Sequence, residues 1–174
     1  MRCKYVIFLA ILTISALAGC QNDETDINVA KTFPTEKEAI HQFLKENPNS
    51  DVERISTTNE ENIFLKRSGN NQYSFHDMKS VDDGYSVVKI TVTLSLHNTI
   101  AGSSEVTTTK GEDYTFQIVK KGKLEELPSA ERNHSFSDLY RGDIKLSLIE
   151  RHTAESSNGS FTENVIDSTD TISD

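Results

Sequence analysis

Across residues 88–97 apolar and polar side chains alternate without interruption. Val88, Ile90, Val92, Leu94 and Leu96 hold one parity, and Lys89, Thr91, Thr93, Ser95 and His97 the other. Only an extended strand, with its two-residue repeat, places every apolar member of such a run on one side. The run therefore predicts one long strand with a dry face, and the chain must supply an apolar cover for it. Weaker copies of the pattern stand at Ile63/Leu65, Tyr73/Phe75, Tyr114/Phe116/Ile118 and Ile144/Leu146/Leu148, with a first strand near residues 52–55.

The cover is predicted just upstream. Thr35-Glu36-Lys37-Glu38 has the form of a capping box, Pro34 precedes it, and Ala39, Ile40, Phe43 and Leu44 follow at helical spacing until Asn47-Pro48 ends the run. These residues predict one amphipathic helix over 36–46, with the stripe of Ile40, Phe43 and Leu44 laid on the dry face of 88–96. Ser68-Gly69-Asn70-Asn71, Asp82-Asp83-Gly84 and Lys121-Gly122-Lys123 supply residues that tolerate positive φ, as short turns between antiparallel strands require.

The predicted fold class is α+β: one N-terminal amphipathic helix packed on a meandering antiparallel sheet. At the level of layout this order resembles cystatin-like and NTF2-like small domains. A two-sheet β-sandwich carrying the helix as an appendage is the alternative, and the number of strands between Asn98 and Gly142 separates the two. Residues 98–113, rich in Ser, Thr and Gly, read as a mobile loop or a poorly defined edge, and residues 128–142 have room for one helical turn. The segment 153–174 has five acidic residues, no Lys or Arg, and few apolar side chains to repay its ordering entropy. It reads as a disordered acidic tail, leaving 33–152 as a single domain.

The first twenty residues carry a different kind of information. Arg2 and Lys4 precede a thirteen-residue run, 5–17, that is mainly apolar and ends in Ala18-Gly19-Cys20. A bilayer-spanning helix needs about 20 apolar residues, so the run is too short for one, whereas a basic start, a short apolar core and small residues at its end compose a secretory signal peptide. Leu17-Ala18-Gly19-Cys20 resembles the lipobox of bacterial lipoproteins, and the chain is similar in this respect to uncharacterised lipoproteins of Gram-positive bacteria or their prophages. That resemblance implies removal of the signal peptide 1–19, attachment of diacylglycerol and palmitate-type chains to the Cys20 thiol, and a flexible tether over 20–32. Each buried acyl CH₂ stabilises membrane binding by about 0.8 kcal/mol, so more than one chain holds firmly. The expected location is the outer face of the cell membrane.

Cleavage removes two of the 18 basic residues and none of the 27 acidic ones, which moves the net charge from −9 to −11. A chain this acidic lacks the basic stripe that displaces counterions from phosphate, so nucleic acid is not an expected partner. Cys3 leaves with the signal peptide and Cys20 is consumed by lipid, so no thiol remains for a disulfide, a metal site or a nucleophile.

No motif assembles chemistry in the rest of the chain. His41, His76, His97, His134 and His152 form no H-x-x-x-H pair, and His41 and His97 read as solvated surface residues. Asp82-Asp83-Gly84 lacks the D-x-D-x-D-G spacing of a Ca²⁺ loop and reads as a hairpin turn. Gly102-Ser103-Ser104 is not a G-x-S-x-G elbow, and Arg141-Gly142-Asp143 reads as a turn before a strand rather than an adhesion motif. Tyr85 and Tyr140 are the candidate loop aromatics, and two do not make a groove. The reading is a lipid-anchored, non-enzymatic interaction module without cofactor or metal, its partners the membrane and an envelope protein. The alternative is a small-ligand binding protein associated with a membrane transporter.

Overall fold

The structure is a computed structural model, and it describes residues 31–69, 71–132, 135–150 and 163–173. The expected signal peptide, Cys20 and the tether up to residue 30 lie outside them. The helix α1 spans Glu36–Glu46, where the capping box marks it. Thr35 Oγ1 accepts the Glu38 N–H at 3.2 Å and donates to the Glu38 carboxylate, and Asn47 closes the last turn by donating its side-chain amide to the Phe43 carbonyl.

Among the described residues ten strands follow: β1 (Asp51–Thr57), β2 (Asn62–Ser68), β3 (Gln72–Val81), β4 (Gly84–Lys89), β5 (Leu94–Ser95), β6 (Ala101–Thr107), β7 (Asp113–Lys120), β8 (Ser137–Leu139), β9 (Ile144–Glu150) and β10 (Ile166–Ile172). A one-turn helix α2 (Ser129–Arg132) and 3₁₀ turns at Leu124–Glu126 and Tyr140–Gly142 interrupt the connections. Every strand pair is antiparallel. They form two sheets, β10-β1-β2-β3-β4 with β5 also on β3, and β6-β7-β9-β8.

The two sheets share one core. Ile55, Leu65, Tyr73 and Phe75 of the first meet Tyr114, Phe116, Ile118, Leu146 and Leu148 of the second, all buried, and the Phe75 and Phe116 rings lie 4.3 Å apart. Three strands, β6, β7 and β8, stand between Asn98 and Gly142, and they belong to the second sheet. The segment 98–113, expected as a loop or loose edge, contains β6 as an edge strand of the second sheet.

The helix covers a different face from the one expected. Its buried Phe43 packs with Val52 and Phe64 on the outer side of the first sheet, joined by Ile40, Leu44, Met78, Val87 and Ile172. The inner side, to which Ile90 and Leu94 belong, is covered by the second sheet instead. Four strands contribute alternate residues to each side, so the first sheet has two dry faces and needs two covers.

The long strand over 88–97 is also broken. β4 ends at Lys89, opposite His76, and pairing with β3 resumes at Leu94, opposite Tyr73, two residues out of register. Thr91 Oγ1 accepts the Phe75 N–H at 2.9 Å across the gap, and Val92 is thrown out to 76% exposure. A shift of two preserves parity, so Leu94 and Leu96 still face inward although the strand is interrupted.

The tail expectation fails for residues 163–173. β10 pairs with β1 from Val52↔Ile172 to Thr57↔Ile166, and Val165 N–H donates to the Leu148 carbonyl at 2.8 Å. Val165, Ile166 and Ile172 are apolar enough because the chain places them at the rims of two cores built by the other strands. Residues 151–162 lie outside the described set.

Candidate functional site

The densest polar arrangement on the inner face lies where β1 meets the turn after β8. Glu53 occupies the same parity of β1 as the core residue Ile55, and is 4% exposed. Its Oε1 accepts the Tyr140 N–H at 2.9 Å and the Thr171 hydroxyl at 3.1 Å. Among the described residues no ion pair includes Glu53, so both of these donors are neutral.

Tyr140 is held in an unusual conformation by these contacts. Its φ is +50°, a region that side chains enter at a cost of about 1–3 kcal/mol unless the surroundings over-determine it. Three contacts do so here: Glu53 on its N–H, the Leu65 carbonyl accepting its hydroxyl at 2.8 Å, and the Arg67 guanidinium 4.3 Å from the ring centroid. Burial, then the Glu53 charge, raise the Tyr140 pKa well above the usual phenol range, so the ring stays neutral.

Arg67 ties the corner together. Its Nη2 and Nε donate to Asp51 Oδ2 at 2.7 and 3.0 Å, and its Nη1 donates to Asp143 Oδ2 at 3.1 Å. Burial opposes the charge, but the hydrogen bonds that the guanidinium donates to Asp51 and Asp143, with the Asp51 charge, more than offset it and raise the Arg67 pKa. Asp143 is the acid of the Arg141-Gly142-Asp143 string, which is thus part of a turn closed from the first sheet.

Beside this corner is an open cleft of about 470 Å³ lined by Glu53, Asp138, Tyr140, Gly142, Thr169, Asp170 and Thr171. Asp138 pairs with Lys145 at 2.7 Å and Asp170 with Arg54 at 2.8 Å, on the exposed rim. The lining offers acceptors and hydroxyls, and one aromatic ring.

Two further buried carboxylates close the other end of the β1–β2 hairpin. Glu61 accepts from the Tyr114 hydroxyl at 3.0 Å, while Asp77 Oδ2 accepts the Thr109 N–H and hydroxyl at 2.7 and 2.6 Å. They latch the β6–β7 turn to the first sheet. Among the described residues no group of three or more His, Cys, Asp or Glu is placed to hold a metal ion.

The candidates named from the sequence do not gather anywhere. His41 and His97 are exposed, as expected, and Asp82-Asp83 forms the two-residue β3–β4 turn. Tyr140 does lie on a connection, the 3₁₀ turn after β8, but it is 5% exposed and pinned from three sides, while Tyr85 stands in β4 rather than in a loop. His76 is 6% exposed under the Phe43 ring, 3.0 Å from Ser74 Oγ, and burial together with Lys66 and Lys89 lowers its pKa to about 4. Cys20, His134 and His152 lie outside the described residues. Glu53 and Asp77 do have a sequence signal: Asp77 continues the parity of Tyr73 and Phe75, and Glu53 shares the parity of Ile55.

No protein-family model, curated protein or solved structure matches the chain. Among the described residues no helix is long and apolar enough to cross a membrane.

Proposed function

We propose that this chain is an extracytoplasmic lipoprotein anchored to the outer face of the cell membrane through acylated Cys20, and that its folded part serves as a non-enzymatic interaction module. The observation that carries the anchoring is Leu17-Ala18-Gly19-Cys20 at the end of a short apolar run behind Arg2 and Lys4. Two sheets in face-to-face contact with a helix outside them favour the sandwich reading of the fold over the cystatin-like or NTF2-like one. Such a scaffold presents edges and end loops for contact.

The test is chemical. The processed protein from cells grown with labelled palmitate should carry label on an N-terminal Cys20, and Cys20→Ala should abolish the label and release the protein or leave it unprocessed. An unlabelled amino terminus elsewhere in the chain overturns the anchoring.

The cleft favours a second reading, a small-ligand binding protein working with a transporter, because its volume lies within the range of about 300–1,000 Å³ found for ligand pockets. Its mainly polar lining counts against that reading. A ligand held there would raise the melting temperature with its concentration.

A further inference from the structure

Strand β10 uses one edge to pair with β1, and among the described residues no strand pairs with the other. Native edge strands are commonly blunted by Lys, Pro or bulges that turn the edge away. The sequence Ile-Asp-Ser-Thr-Asp-Thr-Ile of β10 has no Lys, Arg or Pro, and its bulge sits opposite the Ser56–Thr57 end, leaving residues 168–172 regular. Its charges are both negative, Asp167 and Asp170. Alongside it runs the cleft, with Thr169, Asp170 and Thr171 of β10 on one wall, Asp138 of β8 on the other, and Glu53 between them.

We propose that the free edge of β10 and this cleft together dock an extended basic segment of a partner protein by strand addition. The inference rests on the interaction-module reading above and names its surface. An added strand satisfies the unpaired backbone groups of β10 and sends alternate side chains to opposite faces of the sheet. On the inner face they enter the cleft, whose volume accommodates a Lys or Arg side chain. There the cation meets Glu53, a 4%-exposed carboxylate whose own donors are an amide and a hydroxyl. On the outer face the segment passes Asp170, already bridged to Arg54, and Ser168. Main-chain bonds supply affinity, and the buried charge selects the side chain.

The test uses the full processed protein in detergent and a fluorescein-labelled nine-residue peptide of alternating Lys and Thr, read by anisotropy at physiological salt. One control peptide has Glu for every Lys. Another keeps the Lys residues but is N-methylated on alternate backbone amides, which blocks one hydrogen-bonding edge. The lysine peptide should bind at least tenfold more tightly than either control. Asp138→Lys and Thr169→Lys, both at accessible positions and checked for fold by circular dichroism, should each weaken it at least tenfold. Asp83→Lys, the same charge change in the β3–β4 turn, should leave it within twofold.

Equal binding of the N-methylated peptide, or equal loss with Asp83→Lys, means general electrostatic attraction and overturns the proposal. Displacement of the peptide by spermidine at equal charge concentration assigns the cleft to small cations and overturns it as well. The palmitate label on Cys20 is read on the same preparations, so a failed docking edge is distinguished from a failed anchor.

Discussion

Glu53 Oε1 receives the backbone N–H of Tyr140 at 2.9 Å, joining residues 87 apart in the chain and from opposite sheets. This bond holds Tyr140 at positive φ while the Tyr140 hydroxyl reaches back to Leu65, so the corner closes on itself. Glu53→Gln retains an acceptor for the amide but loses the charge, and should cost about 1 kcal/mol, whereas Glu53→Ala leaves the Tyr140 N–H and the Thr171 hydroxyl without their acceptor and should cost about 2–3 kcal/mol. Urea unfolding of the two variants checks the order. Equal losses would show that the charge, and not the acceptor oxygen, carries the whole contribution.

Acid should weaken the fold through His76. Its folded pKa is lowered from 6.5 to about 4 by burial and by Lys66 and Lys89, so the unfolded chain binds the proton more readily. The His76 contribution is therefore complete above about pH 6.5, falls as pH drops through the window between the two values, and is fully lost below about 4, amounting to at most about 3 kcal/mol. His76→Phe, which can keep the contact with the Phe43 ring 4.8 Å away, should flatten the difference between unfolding midpoints at pH 7 and pH 4.5 relative to the parent. An unchanged difference would assign the acid sensitivity to the carboxylates.

Backbone freedom matters most at Gly84. Its φ is +147°, and a Cβ there would run into the Phe33 carbonyl, the group that accepts the Tyr85 N–H at 2.8 Å. Gly84→Ala must strain the turn or displace Phe33 from the edge of β4, and should cost about 2–3 kcal/mol. The reading of Asp82-Asp83-Gly84 as a turn explains the φ of the glycine, while the approach of Phe33 is tertiary and has no sequence signature. A thermal melt within 2 °C of the parent would refute the close approach.

The alternation over 88–97 shows how far a local pattern carries. Parity is legible in it: Ile90, Leu94 and Leu96 face the core as expected. The two-residue interruption is not, because Val92 has the same period as its neighbours and only the handover from β3 to the second sheet expels it. That handover is tight, since a Cβ on Gly102 of β6 would lie 2.8 Å from Leu94 Cδ1 and 3.1 Å from Leu96 Cδ2. Val92→Thr should therefore change stability by less than about 0.5 kcal/mol, while Leu96→Ala, at 0% exposure, should cost about 2–5 kcal/mol. Similar costs at the two positions would restore the continuous strand. The acidic corner was harder to read for the same reason: Glu53, Asp138 and Thr171 come from three strands whose order no local period encodes.

Ser147 provides a test in the opposite direction. It lies on β9 opposite Gln117 of β7, is 0% exposed, and among the described residues its Oγ has no hydrogen-bond partner. A buried hydroxyl without a partner forfeits its bonds to water and gains none in return, a penalty of about 1–3 kcal/mol. Ser147→Ala removes the stranded oxygen and leaves a space smaller than a methyl group, so the variant should be more stable than the parent by about 1 kcal/mol, a rise in melting temperature of about 2–4 °C for a domain of this size. A fall of comparable size would mean that the hydroxyl is bonded in solution.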